Sequence, residues 1–508
     1  MARKREDKKK GTATPGMAEC DLDSGYQSPI RALQDLTIEN LKSTLIKSRY
    51  VQILLSLTII GFILRFYNLG FNSLWLDEAS THTFAVMSIP EIWQATMGGE
   101  FNPPLFYWIE HVMLAFGNNE FVLRFFPALF GLLTIPLVYL AGKEFIDRNV
   151  GIIAAAACTF SPFLIFYSQE ARAYSMMLFF VAAALVFYFR AQKTNDLKNW
   201  ALFGAFSALA FWSHFYAFVI ISSLILYALI LPFLKKEVTV EKFRMIGVAI
   251  GVFIVMSLPL VIATIQLFIS RTSSGPSFGI QGPGIISETF KQLSGFSDIA
   301  MYILVILFAI GIIQAFLMDK NKGIFLVLLT ILAFFISFIL SYRMPMVPRY
   351  LIFFAPIFFM GIALSYRFFY NLMSNKAIVY GFIAVLFLIG APFLTSYYSG
   401  YSKDDWRGFS TQMQQVTKTG DYVILVPGYI AQPFDYYYSN STDGTLEFGA
   451  TTAEQLAGIN NQKGNSTAYY IATGDIFSAD PSGDSYTWLT ENTQVAGQNG
   501  GIVLFISG

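Results

Sequence analysis

The sequence predicts a membrane protein whose spanning part is all α-helical and which ends in a small soluble α/β domain. Of its 508 residues, 55% are hydrophobic and only 13% are charged. The charged share is about half that of an average soluble domain, and long apolar segments recur between residues 51 and 396. We therefore expect about 11 to 13 transmembrane or membrane-embedded helices.

The first 47 residues are polar and contain two basic runs, at residues 3–5 and 8–10. No apolar core with a small-residue cleavage site follows them, so we do not expect a cleaved signal peptide. Their composition is typical of a disordered tail. The basic residues favour a position in the cytoplasm.

Residues 48–396 form the predicted membrane domain. Lysines and arginines recur in alternate loops, which the positive-inside rule places in the cytoplasm. The first long loop, residues 70–103, then faces the outside of a multi-pass protein of the cell membrane. Segment 103–116 would be only about 21 Å long as a helix, so we expect it not to cross. Eleven crossings remain, in segments 51–69, 121–142, 149–168, 174–190, 245–269, 300–317, 323–341, 350–367 and 377–396 and in a hairpin at 200–234.

The composition changes at about residue 397, where Phe and Leu become rarer and Ser, Thr, Asn and Gly more frequent. Residues 397–508 are predicted to form an external soluble α/β domain. Three short apolar runs have the length and composition of buried strands. They are Tyr422–Val426, Ala468–Ala472 and 502–506.

Several polar residues next to the apolar segments fall on the predicted external side. Carboxylates beside a bilayer are costly and often mark functional sites, while arginine offers a planar donor fork to phosphate. A nearby carboxylate can take a proton from an incoming hydroxyl or amine. Together they predict one external cavity for a lipid-linked phosphate, although an ordinary ion pair between Glu170 and Arg172 and a buried, hydrogen-bonded His214 are alternatives. The residues are Asp77, Glu78, Glu170, Arg172, His214 and Arg349.

These residues lie within an ordered series of short motifs. The motifs are Leu74-Trp75-Leu76-Asp77-Glu78, Asn102-Pro103-Pro104-Leu105-Phe106-Tyr107-Trp108, Leu123-Arg124-Phe125, Tyr167-Ser168-Gln169-Glu170-Ala171-Arg172-Ala173-Tyr174, Ser213-His214-Phe215-Tyr216, Pro348-Arg349-Tyr350-Leu351 and Asp404-Asp405-Trp406-Arg407. The series resembles GT-C glycosyltransferases of the protein O-mannosyltransferase and aminoarabinose-transferase superfamily (glycosyltransferase family 39 and relatives). The resemblance covers nearly the whole chain after residue 48.

The resemblance implies transfer of a sugar, with inversion, from a polyprenyl (dolichyl or undecaprenyl) phosphate to an acceptor on the external face. The acceptor is a protein, a glycan or a lipid, and the sugar a hexose or a pentose. By position, Asp77 resembles the general base, Glu78 its supporting neighbour and Glu170 a second external acid, and these three form the predicted catalytic set.

Arg349 resembles the residue that binds the donor phosphate, with Arg172, His214 and Tyr350 as further contacts. Asn102, the last of the predicted phosphate contacts, stands where many relatives carry His or Lys, so it can donate a neutral hydrogen bond but brings no charge to the phosphate. Arginine neutralises a phosphate leaving group without a metal, so a divalent metal is an alternative that the sequence does not require.

Two other classes of protein share the composition. A transporter or flippase of a lipid-linked substrate would also have many helices, but such proteins usually show internal repeats and midplane charges. A non-catalytic receptor would leave the clustered acids and arginines unexplained. The formal net charge of +1 gives no reason to expect a nucleic-acid partner.

Overall fold

A computed structural model describes residues 20–23, 26–29, 37–100, 102–272, 275–276, 278–400, 402–438 and 444–507. Within these ranges, nine helices are long and apolar enough to cross a membrane, or ten if a bent helix pair is counted as one span. The chain is therefore a multi-pass membrane protein. The helices of this part are α1 Ile38–Lys47, α2 Arg49–Phe66, α3 Leu76–Ala85, α4 Ile89–Gly98, α5 Leu105–Met113, α6 Glu120–Phe145, α7 Arg148–Phe160, α8 Pro162–Ser168, α9 Tyr174–Thr194, α10 Leu197–Ser213, α11 Ala217–Lys235, α12 Val240–Thr272, α13 Gly284–Leu293, α14 Asp298–Met318, α15 Lys320–Leu340, α16 Ala355–Leu364, α17 Tyr366–Met373 and α18 Ala377–Tyr398.

The bent pair is α7 and α8, whose axes differ by 58°. Pro162 has no backbone N–H to continue the helix, and it favours an extended conformation for the residue before it. Ser161 adopts that conformation, with ψ of 115°, and its side chain accepts a hydrogen bond from Leu164 N. The bend precedes the turn that carries Glu170 and Arg172.

The predicted hairpin at 200–234 is confirmed as α10 and α11, and His214 ends the first of these helices. The predicted loop 70–103 contains two helices, α3 and α4. Segment 103–116 forms α5 followed by a short 3₁₀ turn, Leu114–Phe116. At nine residues, α5 is about 14 Å long, which is less than half the hydrocarbon thickness.

The expectation that residues 1–47 are entirely disordered is wrong for the described part of this segment. Thr37 caps α1 by accepting a hydrogen bond from Asn40 N. Asp23 accepts hydrogen bonds from Ser48 Oγ and Arg49 N, both at 2.6 Å, and Leu22 is buried. These local bonds hold the segment against the start of α2. Residues 1–19, with the basic runs, lie outside the described residues.

The C-terminal domain is a five-stranded mixed sheet with helices against it. The strand order is β2-β1-β3-β5-β4, in which β1 pairs parallel with β2 and β3, and β5 pairs antiparallel with β3 and β4. The three predicted strands are confirmed as β1, β3 and β5. The elements are α19 Trp406–Val416, β1 Tyr422–Val426, α20 Ala431–Tyr437, β2 Leu446–Gly449, α21 Ala453–Gln462, β3 Ala468–Ala472, α22 Ile476–Ala479, α23 Asp484–Asn492, β4 Gln494–Asn499 and β5 Ile502–Ser507.

Side chains of α19 and α20, the first two helices of the C-terminal domain, form hydrogen bonds with the loop before α3 and with the first residue of α6. Tyr437 OH accepts a hydrogen bond from Leu74 N at 2.8 Å and donates one to Glu120 at 2.6 Å. Arg407 Nε donates to the same carboxylate at 3.0 Å. We call the membrane face that carries this domain the site face, and the other the opposite face.

Edge strand β2 is expected to lose protection from hydrogen exchange as the pH rises from about 5 to 7.5. Burial and the neighbouring Asp435 carboxylate raise the pKa of Glu447 to about 7, from 4.5. In this window the folded state binds more protons than the unfolded state, so stability falls as the pH rises. Hydrogen-exchange mass spectrometry, corrected for intrinsic exchange rates, measures the effect. Glu447→Gln should flatten the dependence and the exposed control Glu454→Gln should not; an unchanged profile in Glu447→Gln would contradict the assignment.

Candidate active site

The first turn of α3 is anchored by Glu78, whose side chain is fully buried. Arg124 Nε and Nη2 each donate to this carboxylate at 2.7 Å. Lys403 Nζ and Ala171 N donate to it at 3.0 and 2.8 Å. Burial alone would raise the pKa of Glu78, but the charges of Arg124 and Lys403 outweigh it and lower the pKa to about 2. Glu78 is therefore a fixed anion with both oxygens bonded.

Arg124 uses every N–H of its guanidinium group in this anchor. Besides the two bonds to Glu78, Nη1 donates to the carbonyls of Leu69 and Asn72 and Nη2 to that of Ser73, at 2.8 to 3.1 Å. All five donors of an arginine side chain are thereby satisfied. Arg124 thus fixes the end of the loop from which α3 begins.

Asp77, next to Glu78, points in a different direction and stays accessible. Its side chain is 25% exposed, and Oδ2 lies 3.4 Å from Nη2 of Arg349, which is 22% exposed. Arg172 Nη1 donates to the backbone carbonyl of Asp77 at 3.0 Å and to Thr81 Oγ1 at 3.3 Å. Arg172 therefore binds the backbone of α3 through Nη1, and the phosphate contact expected of it stays a prediction.

Arg349 lines a cavity of about 580 Å³ on the site face. The indole of Trp75 contacts two cations there, with its ring centroid 5.6 Å from the Arg349 guanidinium and 5.8 Å from Lys403 Nζ. Cations over an aromatic face are attracted by the ring. The cavity lining joins the membrane helices to the C-terminal domain and consists of Trp75, Phe166, Tyr167, Glu170, Arg349, Ser402, Lys403, Asp404 and Gly500.

Glu170 reaches this cavity from the turn after α8. Lys403 Nζ lies 3.3 Å from Oε1 of Glu170, while Oε2 is buried without a hydrogen-bond partner among the described residues. Burial raises the pKa of Glu170; Lys403 opposes this shift, whereas the neighbouring charge of Glu78 adds to it. The pKa values of Glu78 and Glu170, the two buried acids that contact Lys403, are thus shifted in opposite directions. Shifted pKa values of this kind often occur at functional sites. The alternative pairing of Glu170 with Arg172 is not what the structure shows.

His214 and Tyr350 lie behind Arg349. His214 is 2% exposed, and its ring centroid is 5.1 Å from that of Tyr350 and 5.7 Å from that of Tyr174. Tyr174 OH in turn accepts a hydrogen bond from Arg349 Nε at 3.1 Å. This aromatic layer sets the position of Arg349, and its histidine is buried.

Asn102 lies in a separate cluster. Its Nδ2 donates to Glu100 Oε1 at 3.1 Å and to Tyr107 OH at 3.2 Å, and the residue is 5% exposed. Among the described residues, no group of three or more His, Cys, Asp and Glu side chains is placed to hold a metal ion.

The sequence analysis missed two residues of this site. Arg124 was noted only as part of a motif, without a role. Lys403 stands alone between the last apolar segment and the Asp404-Asp405-Trp406-Arg407 motif, and its position there was the only signal. Its side chain is 8% exposed and contacts two acids that lie far away in the sequence.

Comparison with known proteins shows which fold this chain shares with solved structures. The model of the family described as dolichyl-phosphate-mannose-protein mannosyltransferase matches residues 102–262, about a third of the chain. The structure of an oligosaccharyltransferase from Archaeoglobus fulgidus, in complex with zinc and sulfate, has a TM-score of 0.56 at 14% identity and covers 87% of this chain and 71% of that one. Apo ArnT from Cupriavidus metallidurans also has a TM-score of 0.56, at 13% identity, covering 90% and 97%. The chain has the GT-C fold.

The GT-C likeness extends to a lipid-bound structure. ArnT from Cupriavidus metallidurans bound to undecaprenyl phosphate has a TM-score of 0.52 at 12% identity and covers 90% of this chain and 98% of that one. An uncharacterised protein of Aquifex aeolicus (strain VF5) is 30% identical over 135 residues, which are 25% of this chain and 27% of that protein. The similarity thus spans about a quarter of that relative's length.

Proposed function

We propose that this GT-C protein is a membrane glycosyltransferase that moves a sugar from a polyprenyl phosphate to an acceptor at the site face. The observation that carries the proposal is the Asp77–Arg349 pair, 3.4 Å apart and partly exposed, beside a cavity of about 580 Å³. A carboxylate and an arginine so close together suit a proton acceptor next to a phosphate. The family-model match and the ArnT structure with undecaprenyl phosphate support the same reading.

In the proposed reaction, an acceptor hydroxyl or amine attacks the anomeric carbon of the lipid-linked sugar. The new bond forms from the acceptor atom to that carbon as the carbon–oxygen bond to phosphate breaks, and its electron pair leaves with the phosphate oxygen. Asp77 takes the acceptor's proton. Arg349 neutralises the phosphate that leaves, as preorganised cations do where charge develops. One displacement of this kind inverts the anomeric centre.

The buried residues around the pair have positioning roles in this proposal. Glu78 and Arg172 hold the first turn of α3 from two sides, so that the Asp77 carboxylate keeps its place beside Arg349. Lys403 brings a second positive charge to the cavity and offsets the negative charges of Glu78 and Glu170. Glu170 keeps one buried oxygen that has no hydrogen-bond partner among the residues that the structure describes, and we assign this oxygen to orienting the acceptor or the sugar.

We further propose that the site face is the external face of the cell membrane, with the amino terminus in the cytoplasm. Lysines and arginines cluster in the loops of the opposite face, which is the distribution that the positive-inside rule associates with the cytoplasm. Cysteine labelling in intact cells tests this orientation. A cysteine introduced at Ser482, in the C-terminal domain, should react with a membrane-impermeant maleimide, and one at Ser374 should not.

The test of the function is mass-spectrometric detection of sugar transfer by the purified protein. A panel of polyprenyl-phosphate hexoses and pentoses is offered with peptide, glycan and lipid acceptors, which identifies donor and acceptor together. Transfer by wild type supports the proposal. Failure to bind any donor in the panel would contradict it.

Arg349→Ala is expected to weaken binding of a polyprenyl-phosphate donor by about tenfold to a hundredfold, because hydrogen bonds to charged groups contribute about 1.5–3 kcal/mol. Isothermal titration with a short-chain donor analogue in detergent measures the change. The matched control is Arg343→Ala, since Arg343 is an exposed arginine a few residues earlier on the site face. Equal donor affinity in wild type and Arg349→Ala would reject the phosphate role.

A further inference from the structure

A second cavity lies at the opposite face, far from the candidate active site. Its volume is about 120 Å³, and it is formed where α6, α9, α11 and α15 end or begin. Helix α9 contributes to both sites, through Tyr174 behind Arg349 and through Tyr188 in this cavity. These two residues are about four helical turns apart, or about 21 Å along the axis. The cavity is therefore separate from the proposed sugar-transfer site.

One wall of this cavity is aromatic and the rim is basic. Lys193, Lys235 and Lys322 line it, together with the acids Glu144 and Asp319. Glu144 is already shared by Arg190 Nε at 3.2 Å and Lys193 Nζ at 2.9 Å. The aromatic side chains are Phe145, Tyr188, Phe189, Tyr227 and Phe325.

The positive charge of this rim is not fully offset by the protein. Asp319 caps α15 by accepting a hydrogen bond from Asn321 N at 2.9 Å. Within the described part of the chain, neither Lys235 nor Lys322 has a carboxylate within ion-pair distance. The three lysines and Arg190 therefore carry more positive charge than Glu144 and Asp319 carry negative charge. This excess of positive charge favours binding of an anion in the cavity.

Two polar side chains of α9 point to the same kind of ligand. Tyr188 is 1% exposed, and Gln192 follows it one turn along the helix. The Gln192 side chain lies close enough to hydrogen-bond the Tyr188 hydroxyl, which leaves the O–H of Tyr188 without an acceptor among the described residues. Both side chains line the cavity, and both are hydrogen-bond donors. Buried polar groups are normally bonded, so the O–H of Tyr188 fits a ligand that offers an acceptor oxygen.

We propose that this cavity binds the phosphate headgroup of an anionic membrane lipid. Lysines serve as point charges for phosphate oxygens, and basic pockets between transmembrane helices at a cytoplasmic face are typical sites for such headgroups. Beside Lys235, Phe233 and Leu234 are 62% and 39% exposed on α11, which provides an apolar surface for the acyl chains. The lipid would tie four helices together at the face opposite the sugar-transfer site.

Native mass spectrometry of the full-length protein tests this assignment, with phosphatidylglycerol and phosphatidylcholine added separately. The Lys235→Gln, Lys322→Gln double variant should retain at least about tenfold less phosphatidylglycerol, since each basic residue near an anionic lipid contributes about a fivefold effect. Phosphatidylcholine retention should be low in both proteins. The matched control is Lys236→Gln, an exposed lysine that does not line the cavity, and its lipid retention should equal that of wild type.

The Arg349→Ala variant shows whether this site is independent of the donor site. It should retain as much phosphatidylglycerol as wild type although its affinity for the donor is lower. Lipid retention that is unchanged in the double variant would overturn the proposal, as would equal retention of the two lipids by wild type. Inorganic phosphate forms the third arm. Displacement of bound lipid by millimolar phosphate alone would assign the cavity to a free anion instead and reject the lipid.

Discussion

Asp77→Asn is expected to lower the rate of sugar transfer by about 10²- to 10⁴-fold, the usual contribution of a positioned general base. The substitution keeps the shape of the side chain and removes its ability to accept a proton from the acceptor. Donor binding should change little, because Arg349 stays in place through its bond to Tyr174 and its contact with Trp75. Steady-state transfer and donor titration on the same preparation measure both quantities.

The matched control for this experiment is Asp298→Asn. Asp298 is also a site-face carboxylate, paired with Lys291 at 3.1 Å but 65% exposed, and it lies outside the lining of the cavity. Its variant should transfer sugar at the wild-type rate. Near-normal turnover by Asp77→Asn would remove Asp77 from the proposed role, and Glu170, with its raised pKa, would be the next carboxylate to substitute.

The membrane helices and the central strands were predictable because their signal is local. Long apolar runs identify spans one at a time, and the central strands β1 and β3, which are buried at every residue except Tyr422, are continuous apolar runs. The other two strands were missed for a physical reason. Strand β4 carries polar and exposed residues such as Gln494 and has no continuous apolar face. Strand β2 is only four residues long, which is too short for its alternation of apolar and polar residues to stand out in the sequence.

For the candidate site, the sequence predicted which residues share one face of the membrane but not which of them are in contact. Asp77, Glu170 and Arg349 were expected at one face from topology and from the family resemblance, and the structure brings them together. Which residue pairs with which depends on packing across hundreds of residues. Lys403, for example, reaches Glu78 across 325 positions in the chain. Sequence proximity instead suggested the pair Glu170 and Arg172, whose guanidinium binds the α3 backbone.

Arg124→Met is expected to destabilise the membrane domain by about 3–5 kcal/mol, the usual cost of leaving one partner of a buried ion pair alone. It removes both 2.7 Å bonds to Glu78 and three bonds to the carbonyls before α3, at a place where Arg124 and Glu78 side chains are 2% and 0% exposed. Thermal unfolding of the purified protein in detergent, followed by tryptophan fluorescence, reports the loss. Asp77→Asn should unfold within a degree or two of wild type, because its carboxylate is partly exposed and makes one long ion pair.

The double variant Glu78→Met, Arg124→Met decides whether the pair or the individual groups matter. If Arg124 acts mainly by neutralising Glu78, removing both charges should cost clearly less than the sum of the two single changes. Lys403 would then keep Glu170 as its partner. Strict additivity would mean that the carbonyl contacts of Arg124, and not the ion pair, hold the start of α3. In either case transfer should fall with stability, whereas in Asp77→Asn transfer should fall alone, and this contrast separates the residue that reacts from the residues that position it.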